Sequence, residues 1–254
     1  MKERCLAVIF GLLIFLLSGC FSSHQTIRDI RELKQDHTFY LGRMAPDALR
    51  IDPGEQESMD RQYNSMYFSP WHREKPACSL EDVAVEFRKY GQNRGYGENG
   101  RKHSRQWMKK MTENARLDAY PDRGYPAITI RPTALRALPT QRPHFSTFNR
   151  GGRGYPFDNL QVSAVTVNTP VYIAHVTRDR AWVFAEAGVY FGWVPAGDVA
   201  LVDDGFMRSW ESGRYAVVIR DKTPHYDARG RFLFRAPLGA IFPKVRDGEG
   251  GLDI

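Results

Sequence analysis

Apolar side chains recur at helical spacing at Leu80, Val83, Phe87 and Tyr90. Ser79 stands where an N-cap belongs and Gly91 where a helix stops, so the pattern predicts a helix over 80–90. A second helical pattern covers about 102–117, with Trp107, Met111 and Ala115 on one face and basic residues on the other. From Ala127 the period changes to two: Ile128 and Ile130 alternate with Thr129 and Arg131. Short apolar runs then predict strands over 127–131, 162–167, 171–176, 182–186, 190–194 and 199–202. Turn residues separate them at Asn168 and Pro170, at Asp179, at Gly188, and at Pro195 with Gly197. Short strands joined by tight turns fit a compact barrel, so the chain reads as α+β. Residues 21–65 are polar and interrupted by Pro46, Asp52, Pro53 and Gly54, which suggests a tether and a short helix or two. An aromatic cluster bent at Pro70 follows, from Tyr67 to Trp71.

The amino terminus has its own pattern. Lys2 and Arg4 precede a run without charge from Cys5 to Leu17, a basic start and short apolar stretch as in a secretory signal. The run is too short for a membrane-spanning helix, which needs about 20 apolar residues. It ends in Leu17, Ser18, Gly19 and Cys20, which resembles the lipobox of bacterial lipoproteins. The resemblance implies that residues 1–19 are removed, and that Cys20 carries acyl chains such as palmitate which hold the protein to a membrane. The location it implies is the cell envelope: in a Gram-negative cell, the outer membrane facing the periplasm. The alternative is an ordinary signal peptide followed by a fortuitous cysteine.

Charge narrows the partners. The chain carries a formal net charge of +7. The basic excess is concentrated between Arg88 and Arg123, where ten basic side chains meet four acidic ones. In the cytoplasm such a stretch would raise nucleic acid as a partner. Outside the inner membrane the available polyanions are lipid headgroups and the carboxylates of peptidoglycan stem peptides, so no nucleic acid is expected. A solvated helix face chosen for solubility explains the same charges. Beyond Cys20 the only cysteine is Cys78, so stability is expected from packing and not from an intramolecular disulfide.

Further along, Thr169, Pro170, Val171, Tyr172 and Ile173, then Trp182, then Gly192, Trp193 and Val194, resemble the strand signatures of a bacterial SH3 domain. Together with Tyr67 to Trp71, the two helical patterns and the segment from Tyr155 to Gln161, they resemble the N-terminal half of SH3-bearing, NlpC-type cell-wall peptidases. In that family a helical clip and one or two SH3 modules precede a papain-like domain that cuts peptidoglycan stems after D-glutamate. The resemblance covers the chain from about Met59 onward; with the signal over 1–19 and the tether with short helices over 20–64 read above, it implies a helical clip over 65–125. It places a bacterial SH3-like barrel over 126–203 and an incomplete second SH3-like module over 204–254. Strands are expected there at 215–219, 232–234 and 240–242, with an open edge and a cleavable link between Asp203 and Tyr215. No catalytic domain is expected within the 254 residues, and two readings follow: a wall-binding relative without its enzyme half, or an incomplete record of an endopeptidase. A scaffolding lipoprotein is a third.

Residue chemistry agrees with binding better than with catalysis. Cys78 precedes a helix start, where a thiol can be activated, but its neighbours lack the nucleophile context of the resembled peptidases. The histidines are scattered singly, and a zinc site needs three or four convergent ligands, so no metal and no cofactor are expected. Asp221 and Asp227 are explained by turn chemistry around Pro224 and Gly230. The loop 154–159 concentrates aromatic and amide groups: Tyr155, Phe157, Asp158 and Asn159, with Trp71, are the candidate contacts for a stem peptide, and Asp158 would pair a free amine. The same aromatics would equally seal the clip onto the barrel.

Overall fold

In a computed structural model the described residues are 28–34, 36, 39–40, 51–148, 154–244, 246–248 and 251–253. Cys20 and the apolar run before it lie outside them. The chain divides into two units, Met1–Asp52 and Pro53–Ile254. In the first, a short helix α1 (Arg28–Glu32) is spanned by an Arg28–Glu32 ion pair of 2.8 Å. Among the described residues no helix is long and apolar enough to cross a membrane.

The second unit opens with a helix not foreseen at this length, α2 (Pro53–Phe68). Pro53 does not break it, because a proline in the first turn gives up only an N–H that would have no helical acceptor. A 3-10 turn, Ser69–His72, bends the chain at Pro70. Helix α3 (Leu80–Gln92) starts on a full capping box: Ser79 Oγ accepts from Asp82 N and Asp82 accepts from Ser79 N at 2.8 Å. Helix α4 (Arg105–Ala115) starts on Ser104, whose Oγ accepts from Trp107 N.

The strands are β1 (Tyr125–Thr129), β2 (Thr133–Arg136), β3 (Gln161–Val165), β4 (Pro170–Val176), β5 (Trp182–Ala187), β6 (Tyr190–Pro195) and β7 (Val199–Leu201). They form one antiparallel sheet in the order β3-β2-β6-β5-β4-β1-β7. All six expected strands of this region are present, and β2 is an addition. Along β4, Val171 and Ile173 face one core with Val183, Ala185 and Val194, while Tyr172 and Ala174 face the other with Phe184 and Trp193. Helices α3 and α4 cover that second face with Val83, Phe87, Met108 and Met111. Both faces of the central strands are therefore buried, which is why β4 reads as a continuous apolar run and not as an alternation.

The link expected to be cleavable is instead helix α5 (Asp204–Trp210), capped by Asp203, whose carboxylate accepts from Phe206 N at 2.7 Å. Met207 and Trp210 pack with Phe68, Trp71 and Ile128, so the segment belongs to a shared core. Beyond it, β8 (Tyr215–Val217) pairs with β11 (Ile241–Pro243), β9 (Thr223–Tyr226) with β10 (Phe232–Ala236), and β12 (Arg246–Gly248) with β13 (Gly251–Asp253). The expectation of three strands was too low. Pro224 sits inside β9, with one turn before it at Asp221 and Lys222 and another after it at 227–230, closed by Gly230 N to Asp227 O at 2.9 Å, so both aspartates stand at turns as expected. The imidazole of His225 stacks against both Phe234 and Phe242, at 5.4 and 4.7 Å between ring centres.

Candidate functional site

Helix α3 ends at Gln92, and Asn93 caps it by donating its N–H to Lys89 O. The chain then turns at Gly95, whose φ of +50° favours glycine; a Cβ there would lie 2.4 Å from His144 Nε2. Just beyond, Tyr96 and Phe145 exchange backbone hydrogen bonds of 2.8 Å in both directions. These contacts bring the start of the basic stretch against the segment 144–146. Between them opens a cleft of about 600 Å³ lined by Lys89, Tyr90, Arg94, Tyr96, Lys102, His144, Ser146 and Asn159 among others.

The polar wall of the cleft is fixed by its own hydrogen bonds. His144 donates from Nε2 to Asn93 O at 2.6 Å and accepts at Nδ1 from Asn159 Nδ2 at 3.1 Å. Asn159 Nδ2 also reaches Ser146 Oγ, and Tyr90 OH donates to Asn159 O at 2.6 Å. The basic groups are less committed. Lys89 Nζ lies 3.1 Å from Glu86 and over the Tyr90 ring. Arg94 gives one N–H to His103 O, and among the described residues no carboxylate lines the cleft. Lys89 is already paired with Glu86, but with Arg94 and Lys102 it leaves the described lining positively charged, a field that favours anions over cations.

The sequence candidates fall into two groups. Asn159 lines the cleft. Tyr155 and Phe157, 58% and 62% exposed, neighbour Asn159 in sequence but are not among the residues that line the cleft, so the geometry does not make them contacts of a ligand held there. Trp71 is 4% exposed and spends its indole N–H on Ala127 O at 2.7 Å, so it is a core residue and is removed from the ligand contacts. Asp158 is also turned inward: Arg136 lies 2.7 Å from Oδ2, and Oδ1 accepts from His144 N and Leu160 N, both at 2.9 Å. Three of its four acceptor sites and its charge are already matched within the fold, and the amine-pairing role does not fit this geometry. Arg94, Tyr96, Lys102, His144 and Ser146 were not singled out from sequence. Only the local basic excess pointed toward them.

Two histidines read as scattered are neighbours, with His103 and His144 ring centres 6.1 Å apart. His103 stacks on Trp107 and shares a 2.9 Å hydrogen bond from Nε2 with Pro143 O. Its Nδ1 is buried without a partner, and burial holds its pKa below the ordinary histidine value. The folded state therefore resists a proton that the unfolded chain accepts, and stability is lost as pH falls below about 6.5. The expected result is a denaturation midpoint that drops from pH 7 to pH 5, with a smaller drop in His103→Gln.

Cys78 is buried, and its thiol pKa is pushed up to about 12, first by burial and then by the Glu186 carboxylate. This is the reverse of nucleophile activation.

The comparisons agree with this architecture. Residues 9–120 match the family described as the NLPC_P60 stabilising domain, N term. Residues 143–195 match an SH3 domain of SH3b1 type, and residues 203–248 one of SH3b2 type. Among solved structures, an NlpC/P60 endopeptidase from Photobacterium damselae subsp. piscicida is similar, with a TM-score of 0.76 and 25% identity. The likeness covers 87% of this chain and 52% of that one, so this chain spans about half the length of that relative. No curated protein matches. The chain is an α+β protein in which an NlpC/P60 N-terminal stabilising domain is followed by two bacterial SH3 domains.

Proposed function

We propose that this chain binds peptidoglycan, receiving the acidic stem peptides in the cleft bordered by Lys89, Arg94 and Lys102. The observation that carries the reading is the convergence of these cations on a lining without carboxylates. Stem peptides bring carboxylates of D-glutamate and of their C-terminal residues, which such a lining attracts. The modules of this chain are of the kind associated with cell-wall proteins, and this supports the same assignment. Lys102→Glu replaces an attraction by a repulsion and is expected to weaken stem-peptide binding about tenfold, or about 1.4 kcal/mol, at low salt. Calorimetric titration with a free stem peptide checks it. Unchanged affinity would remove the cleft from the binding account.

The similarity to an endopeptidase favours a second reading, in which the same cleft holds substrate for a peptidase activity. Chromatography of the stem peptide after incubation separates them: intact peptide fits binding alone, and cleavage fits the second.

The anchor belongs to the same proposal. A lipidated Cys20 would hold the chain at the membrane beside the wall, as the run from Cys5 to Cys20 suggests. Metabolic labelling with a fatty-acid analogue is expected to mark the wild type and not Cys20→Ala. A labelled variant would refute the anchor.

A further inference from the structure

Beside the cleft is an aromatic surface whose rings, apart from Tyr96, are not among the residues that line it. Phe148 and Tyr155 stack face to face, with ring centres 5.5 Å apart and planes 13° apart, and remain 41% and 58% exposed. Phe145 is buried and meets both rings edge-on, at 5.6 and 5.5 Å, so the pair stands on a packed support. Tyr96 meets Phe148 edge-on at 6.1 Å and also lines the basic cleft. The aromatic surface and the cleft are therefore continuous through one side chain. Phe157, two residues beyond Tyr155, is exposed as well.

We propose that the outward face of the Tyr155 ring, backed by the stacked Phe148, forms a platform for the face of a 2-acetamido sugar in the glycan strand whose stem peptide enters the adjoining cleft. The proposal rests on the cleft reading for its orientation and adds the saccharide as a second ligand class. The negative face of an aromatic ring attracts the polarised C–H bonds that line one face of a pyranose, and a supported ring loses little freedom when it is covered. Charge supplies the direction. The cations of the cleft would hold the peptide arm, and the uncharged platform would take the neutral sugar. A core role does not require these rings to be exposed, because Phe145 already seals the packing beneath them.

The test uses the full chain and two probes: a neutral tetramer of β-1,4-linked N-acetylglucosamine, and a free stem peptide. Both are titrated by calorimetry. The tetramer is expected to bind the wild type at millimolar concentration. Tyr155→Ala is expected to weaken the tetramer about tenfold while leaving the stem peptide unchanged, and Tyr155→Phe, which keeps the ring, is expected to retain it. Lys102→Glu is expected to do the converse. If circular dichroism shows that Tyr155→Ala alters the fold, Phe148→Ala takes its place, with the same expectation. A tetramer that does not bind, or that binds the ring-deleted variant as well as the wild type, overturns the proposal. Failure of the stem peptide alone, with the tetramer still dependent on the ring, overturns the cleft reading and leaves the platform standing.

Discussion

Replacing Glu186 by alanine is expected to lower folding stability by about 3 to 5 kcal/mol, the cost of breaking a buried ion pair by removing one partner. Glu186 is 1% exposed, in the middle of the sheet. Its carboxylate accepts from Arg73 at 2.6 Å and from the backbone N–H groups of Ala77 and Cys78, both at 2.9 Å. It therefore holds the whole segment between the 3-10 turn and α3 against β5. Arg73 is partly exposed and can turn toward water after the loss, which argues for the lower end of the range. The N–H of Cys78 cannot turn: it lies in the buried part of the network and would be left unsatisfied, at about 1 to 3 kcal/mol. At about 2 to 4 °C per kcal/mol for a protein of this size, the melting temperature should fall on the order of 10 °C. Glu186→Gln keeps one acceptor oxygen and should fall between the two. Thermal melts of the three proteins check the order.

Asp158→Ala is expected to cost about 3 kcal/mol of stability, again by the removal of one partner from a buried pair, and not merely to weaken a ligand. Arg136 is almost wholly buried in β2, and the Asp158 carboxylate is its charged partner. The same carboxylate fixes the N–H groups of His144 and Leu160, so its loss frees one wall of the cleft. Asp158→Asn should recover part of the loss, since the amide oxygen still accepts from those two N–H groups. Urea denaturation at neutral pH checks both variants. An Asp158→Ala protein as stable as the wild type would contradict the structural role assigned to this residue.

These two carboxylates show where the sequence was readable and where it was not. Local signals were legible: Ser79 and Asp82 mark the start of α3, and one alternating run at 127–131 with five short apolar runs between turn residues marks six strands of the sheet. The strand signatures at Pro170 to Ile173 and at Gly192 to Val194 carried the family resemblance. Helix α2 was missed as a long element because Pro53 and Gly54 read as breakers and its apolar side chains before Tyr67, namely Met59, Tyr63 and Met66, are few and exposed. The role of Asp158 was misread because its partner lies 22 residues away in β2, a four-residue strand just after Pro132 that gave no periodicity. Glu186 ends an apolar run and looks like a solvated strand terminus. Only a sheet covered on both faces, with residues 73–78 laid across it, buries that carboxylate. The cleft needed the same long-range information, since Lys102, His144 and Asn159 come from three separate segments.

Nuclear magnetic resonance titration of the chain with a free stem peptide tests the central claim most directly. The account predicts saturable shifts in the backbone signals of Arg94, Tyr96, Lys102, Ser146 and Asn159, which weaken as salt is raised. Shifts that are absent there, or that gather instead on the second SH3 domain around β8 to β11, would contradict it.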